Sequence, residues 1–277
     1  MNKIILAVSG GVDSVVLLDM LANQPKLDII VAHFDHGIRS DSAEDTRFVE
    51  SLAKMYGLAF ETRREELGPE ASEELARDRR YSFLRSLAKK YKAHIVTAHH
   101  SDDVVESILI NLYRGTGWRG LAVMDSDVLR PIWAMSKKDI IAYAKKHNLV
   151  WREDSTNSSD SYLRNRFRRA LVGLSDDEKQ QLLALWVSQK DIKFQIEAEV
   201  NKLVPSSEMY DRYFFIYIDD SSALECLRCM TKGLLTRPQL LNLLIAIKTL
   251  PANREFNAGS FVKVSFTSRN FMIKLLK

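Results

Sequence analysis

Cysteine is scarce in this chain of 277 residues, which holds only Cys226 and Cys229. That excludes the disulfide framework that staples small secreted domains. Two sulfurs are also too few to close a zinc site. No apolar run approaches the length of a membrane span. The opening MNKIILAVSGG has too short an apolar stretch for a signal peptide and lacks a small-residue cleavage site. The expectation is a cytoplasmic protein with no membrane partner. Neither sign of charge dominates: 40 Lys and Arg against 36 Asp and Glu leave a net +4. A balance that mild does not by itself establish nucleic-acid binding. Repeats and low-complexity tracts are absent too. What remains is ordinary for a soluble globular protein, with 46% hydrophobic and 27% charged residues. The length suits one large domain or a large plus a small one.

The stretch around which the rest is organised is Lys3–Ser14. An apolar run (Ile4, Ile5, Leu6, Ala7, Val8) enters Ser9, Gly10, Gly11, Val12, Asp13 and Ser14, and an apolar helical pattern follows. A strand ending in a glycine-rich turn that opens a helix makes an anion site, because backbone N–H groups and the helix dipole converge there. Two familiar phosphate motifs are missing: no Lys precedes Ser14 to give GxxxxGK[ST], and GxGxxG does not occur. The bland alternative is a tight turn that needs glycine for geometry alone. The whole run SGGVDS at the first strand favours phosphate binding. It resembles the SGGxDS signature of the PP-loop ATP pyrophosphatases, which split ATP between the α- and β-phosphates and adenylate an oxygen of their substrate.

Apolar strand patterns at 28–33, 58–63, 93–98 and 128–133 alternate with helical patterns near 42–56, 72–91, 102–113 and 136–147. Alternation of that kind predicts an α/β fold, a Rossmann-like parallel sheet with helices on both faces. Its ligand lies outside the carboxyl ends of the strands. Three notable clusters fall at such ends: SGGVDS, His33–Arg39 and His99–Asp103. Ser175–Leu203 then reads as one long helix with Ser175 as N-cap. A strand at Tyr213–Ile218, helices at Ser221–Lys232 and Pro238–Thr249, and a hairpin of Phe261–Phe266 with Phe271–Leu276 follow. The expected division is a catalytic domain over 1–172, a helical linker over 173–204 and a small C-terminal α/β domain over 205–277.

Outside the turn, three clusters bear chemistry. His99, His100, Asp102, Asp103 and Glu106 gather at a strand-to-helix junction, with Asp103 and Glu106 on one helix face. Such a carboxylate pair holds Mg²⁺ or an ammonium group. N-cap acids beside satisfied histidines are the alternative. Arg77, Arg79 and Arg80 span about one helical turn, either as a solvated face or as a clamp on phosphate oxygens. Asp154–Asn157 with Tyr162–Arg169 interleaves Arg164, Arg166, Arg168 and Arg169 with Tyr162, Asn165 and Phe167. That composition grips phosphates and stacks an unpaired base, unless it is only a basic loop. Cys226 and Cys229 sit at helical spacing, where packing is the simpler reading.

Taken in order, SGGVDS, AHFDHGIRSDSAED, ELARDRRYSFL, TAHHSDDVVESILINLYRGTGWRGL, RPI at Arg130–Ile132 and WREDSTN…YLRNRFR resemble the tRNA(Ile)-lysidine synthase family. The likeness runs from Ile4 to about Arg169 and is loose beyond, as for a short form. Ile132 stands where Leu is usual, and Ser155 where Pro is frequent. The resemblance implies that ATP, Mg²⁺, free lysine and the CAU-anticodon isoleucine tRNA are used, and it suggests a homodimer. It implies attack of the wobble cytosine O2 on the α-phosphate, and then attack of the lysine ε-amine on C2. By the same resemblance, Ser9–Ser14 hold the departing pyrophosphate. Asp13 (with Mg²⁺), Arg77 and Arg80 stabilise charge on the phosphates. Asp103 and Glu106, with His99 nearby, hold lysine and its proton. Arg164, Asn165 and Arg168 take the activated base and tRNA phosphates.

Three rival readings remain at this stage. A tRNA thiolase of the same superfamily calls for reactive cysteines or an iron–sulfur cluster near the sheet edge, and none occurs before Cys226. A catalytically silent tRNA-binding module leaves the His99–Glu106 cluster unexplained. A small-molecule amidotransferase has little use for Tyr162–Arg169.

Overall fold

β1 (Asn2–Ala7) is apolar at every position from Ile4 to Ala7, as a strand covered on both faces requires. It was traced in a computed structural model that describes residues 2–37, 42–68, 71–124, 127–152, 167, 171, 173–204, 207 and 209–276. β1 is the middle of a five-stranded, all-parallel sheet with β2 (Leu27–Asp35), β3 (Ala59–Arg64), β4 (His94–Val96) and β5 (Val128–Leu129). The order is β3-β2-β1-β4-β5, and the register sets Leu6 beside Val31 on one side and Val96 on the other. The order reverses between β1 and β4, where doubly wound sheets place their ligand crevice.

Side-chain alternation splits the core in two. Ile4, Leu6, Ile29 and Val31 meet α1 (Val12–Ala22), α2 (Ser42–Met55) and α5 (Lys137–Lys146) on one face. Ile5, Ile30, Phe34 and Ile95 meet α3 (Glu73–Tyr91) on the other. The sheet therefore has helices on both faces, as its pattern predicts. Ser72 caps α3 by accepting from Leu75 N–H at 3.1 Å. Ser136 caps α5 in a reciprocal arrangement with Asp139. α1 is also joined to α5 and to the end of α2 by polar groups, since Tyr143 of α5 and Tyr56, just past α2, both donate to the buried Asp19, at 2.8 and 2.7 Å. α4 (Ser101–Tyr113) packs Val104, Val105 and Ile108 against Leu183 and Trp186 of α6 (Asp176–Leu203).

Contacts divide the chain into two units, Met1–Lys190 and Asp191–Lys277. The division falls inside α6. The second unit contains an antiparallel sheet of order β6-β9-β8-β7, built from β6 (Met209–Asp211), β7 (Glu255–Ala258), β8 (Val262–Phe266) and β9 (Asn270–Leu275). α7 (Arg212–Tyr217), α8 (Asp220–Met230) and α9 (Arg237–Thr249) accompany it. The strand expected over Tyr213–Ile218 is instead the helix α7. Its aromatic and β-branched residues favour a strand, but Asp211 caps the segment by accepting from Tyr213 N–H at 2.8 Å. The helical turn then buries Phe215 beside Phe271. Among the described residues, no helix is long and apolar enough to cross a membrane.

Candidate active site

The SGGVDS turn is held by its own hydroxyls. Ser14 Oγ donates to Gly11 O at 2.9 Å and accepts from Ser9 N–H at 3.2 Å, while Gly11 N–H donates to Ser9 Oγ at 3.3 Å. Gly10 has φ +94°, and a Cβ on it would stand 3.4 Å from the Phe48 ring. Gly11 is the N-cap of α1 at an ordinary φ of −71°. The first N–H groups of α1 have no partner within the helix and point outward along its dipole. Val12 is buried in the core, so it serves the turn through its backbone.

Beside this turn lies a cavity of about 370 Å³, in the range of small-ligand sites. It is walled by the carboxyl ends of β1, β2 and β4. Ser9, Asp13, Ser14, Arg80 and His99 all line it, so residues from three separate motifs converge. So do His33, Asp35, His36 and Asp45, to which no role had been given. The segment AHFDHG points at the first three, as polar residues interrupted only by Phe34 where a buried strand ends.

The histidines of this wall are neutral at physiological pH. Burial lowers the His99 pKa to about 4, helped by Arg130, Arg80 and Arg77 and opposed by Asp103. His99 Nδ1 is tied to Thr97 Oγ1 at 2.8 Å. Burial, with Arg80 next, likewise brings His36 to about 4. Burial also lowers His33, although Nδ1 pairs with the Val8 carbonyl at 2.8 Å. Asp35 moves the other way on the charge scale. Burial disfavours its carboxylate, but the Gly37 N–H, Ser42 and Arg64 outweigh that and hold its pKa low.

Asp13 ends in an ion pair: Lys137 Nζ lies 2.6 Å from its Oδ1. His100, nearly buried, lies 3.8 Å from Asp13, 3.7 Å from Asp102 and 3.5 Å from Asp103. Asp102 accepts from the Lys137 N–H at 2.9 Å and pairs with Lys179 at 3.2 Å. The expected lysine-holding pair is placed differently from the turn. Asp103 accepts from the His100 N–H at 3.0 Å, and Glu106 is buried at 1% exposure. Neither lines the cavity. Arg77 stands over the Tyr81 ring at 5.0 Å, with Arg80 on the same ring at 5.7 Å. Arg164, Asn165 and Arg168, like Asp154–Asn157, lie outside the described residues.

Among the described residues, no three His, Cys, Asp or Glu side chains are set to hold a metal ion. Within SGGVDS the carboxylate is Asp13, and Asp35 and Asp45 line the same cavity. That donor set fits a magnesium ion carried in on phosphates, which takes one or two carboxylates and keeps several waters. It does not fit an all-protein cage.

Residues 1–174 match the PP-loop domain family ATP_bind_3. A Thermotoga maritima protein named tRNA(Ile)-lysidine synthase is 31% identical, over 96% of this chain and 69% of its own length. The chain belongs to this family of PP-loop proteins. Its Geobacter sulfurreducens member, also named tRNA(Ile)-lysidine synthase, is 39% identical over 62% of this chain and 40% of itself. The chain therefore spans less than half the length of that relative. A solved structure of the U34-tRNA thiolase NcsA from Methanococcus maripaludis, with its [4Fe-4S] cluster, superposes with TM-score 0.57 at 15% identity. It covers 69% of this chain and 71% of that one. At that identity the likeness is one of fold.

Proposed function

We propose that this protein is a ligase that joins free lysine to C2 of the wobble cytidine in CAU-anticodon isoleucine tRNA, at the expense of ATP. The observation that carries this reading is the convergence of the SGGVDS turn, Arg80 and His99 on one cavity at the sheet edge. The family membership of nearly the whole chain supports it.

In the first step, cytosine O2 attacks the α-phosphate of ATP and the bond to pyrophosphate breaks. The turn at Ser9–Ser14 supplies N–H donors to the departing pyrophosphate, and Arg80, with Arg77 behind it, offsets charge that develops on the phosphates. Magnesium, when bound with the nucleotide, neutralises phosphate charge, and Asp13 is the carboxylate that would hold it. In the second step the ε-amine of lysine attacks C2. The C2–O2 bond breaks, O2 leaves with AMP, and the amine gives up its proton. Asp103 and Glu106, which do not line the cavity itself, orient the lysine ammonium from beside it, on the side where His100 lies between Asp103 and Asp13. His99, neutral and tethered to Thr97, accepts the hydrogen bond of the attacking amine. Arg164, Asn165 and Arg168 hold the adenylated base and the tRNA backbone. Residues 1–172 form the catalytic domain, 173–204 the helical linker and 205–277 a tRNA-contacting domain, and the protein works as a homodimer.

The test is incubation with CAU-anticodon isoleucine tRNA, ATP, Mg²⁺ and labelled lysine, followed by nucleoside analysis. Labelled lysidine with AMP and pyrophosphate in equal amounts is the expected result. Release of ADP and orthophosphate overturns it. Turnover that requires a sulfur donor supports the thiolase reading instead, which the two cysteines of the chain, both in the second unit, disfavour.

A further inference from the structure

The turn lacks the lysine that nucleoside-triphosphatase P-loops place just before their Ser or Thr. It also carries an acid, Asp13, in the first turn of α1. A carboxylate at that point repels a polyphosphate unless a cation covers it. Lys137 brings the cation from a distance of 124 residues in sequence, with Nζ 2.6 Å from Asp13 Oδ1. Its side chain is 43% exposed, against 31% for Asp13.

The root of this lysine is fixed although its head is not. It opens α5, whose first turn is closed by Ser136 and Asp139. Its N–H is taken by Asp102, which Lys179 holds in turn. What remains free to move is a four-carbon stem bearing a compact point charge. Ion pairs at this exposure are weak. A doubly charged phosphate oxygen group therefore competes well with a single carboxylate for the same ammonium.

We propose that Lys137 is a phosphate-binding residue of the nucleotide site. Its ammonium covers Asp13 in this structure and passes to the phosphate chain when ATP binds. The exchange frees the Asp13 carboxylate for the metal that accompanies the nucleotide. In effect, α5 returns to the turn the lysine that its own motif omits. This assignment rests on the ATP reading above and specifies part of the same site.

The test compares binding of ATP and of adenosine by calorimetry, each in EDTA and in Mg²⁺, for the full-length wild type, Lys137→Met and Lys137→Arg. Lys137→Met is expected to weaken ATP binding in EDTA about tenfold or more and to flatten its salt dependence. Adenosine affinity should change less than about twofold, because no phosphate is lost. Lys137→Arg should restore part of the ATP affinity. Asp13→Asn should keep or raise ATP affinity in EDTA, since the ammonium is already released. Equal losses for ATP and adenosine would assign Lys137 a purely structural role and overturn the proposal. ATP binding that Lys137→Met leaves intact overturns the assignment alone. Failure of the wild type to bind ATP removes the nucleotide reading and this assignment with it.

Discussion

The backbone N–H of Arg152 donates to the carbonyl of Gly10 at 3.0 Å. The chain is thus pinned to the SGGVDS turn immediately before the Ser-, Asn- and Arg-rich segment begins in sequence. The Arg152 guanidinium reaches Glu44 at 3.1 Å and also pairs with Asp45, and Asp45 lines the cavity. Arg152→Ala keeps the backbone bond but removes a positive charge from beside Asp45 on the cavity wall. The expected outcome is a rise in the KM for ATP of about three- to tenfold. The stability loss should be small, because Arg152 and Glu44 are solvent-accessible and only Asp45 is largely covered. Steady-state kinetics and a melting curve on the same preparation check both.

The two glycines of the turn separate geometry from access. Gly10→Ala forces a side chain onto φ +94° and against Phe48, and should cost about 1–3 kcal/mol in denaturant unfolding. Gly11→Ala meets only Ser9 Oγ, at 3.5 Å, with an ordinary backbone. It should fold within about 0.5 kcal/mol of wild type yet lose nucleotide affinity, as a methyl enters the approach to the helix N-terminus. Equal effects of the two substitutions on both measurements would contradict this division.

Acid should destabilise the first unit in a defined window. His36 and His99 each titrate near pH 4 in the folded protein, against about 6.5 when unfolded. Between those values the unfolded chain binds more protons, so stability falls as pH drops from 6.5 towards 4 and is level above 6.5. The slope is at most about 1.4 kcal/mol per pH unit for each group, and less here because both retain some exposure. His33, lowered in the same direction, adds to it. Asp35 and Asp102, held low, lose their contribution only below the ordinary carboxylate range. Melting temperatures at pH 7.5, 6 and 5 read the first effect alone, and His99→Gln should flatten the curve.

The second unit hangs on one guanidinium. Arg212, 7% exposed, donates to Ile247 O at 2.6 and 2.9 Å, Leu250 O at 2.8 Å and Thr267 O at 3.2 Å. It satisfies the Ile247 and Leu250 carbonyls left over where α9 ends, and reaches Thr267 O in the turn between β8 and β9. Arg212→Ala strands those buried acceptors and should cost about 2–4 kcal/mol. Arg212→Lys should recover little, since an ammonium cannot span the fork. Hydrogen exchange of β8 and β9 would report the loss locally.

Much of the first unit was legible because its signals are local and agree with one another. Apolar runs, the helical patterns between them, and SGGVDS at the first strand all specify the same α/β order. Polar clusters at strand ends then had to share one edge. Lys137 was not legible, because its partner Asp13 is distant in sequence and no local pattern marks a lysine that opens a helix. Asp103 and Glu106 were legible as a helix-face pair, but burial of Glu106 and capping by Asp103 arise only on folding. In the second unit, β6 and β7 are too short to show alternation. Tyr213–Tyr217 follows its cap and the pocket for Phe215 rather than its strand propensity.

Every side chain that walls the cavity lies between Ala7 and His99, whereas the ammonium facing Asp13 belongs to a helix that begins at Lys137. On a ribosome that adds about 5–20 residues per second, the recess emerges first and its counter-charge follows seconds later. The wall and its counter-charge thus belong to parts of the chain made at different moments, and the core beneath that wall also takes in Ile132, Ile140 and Ala144.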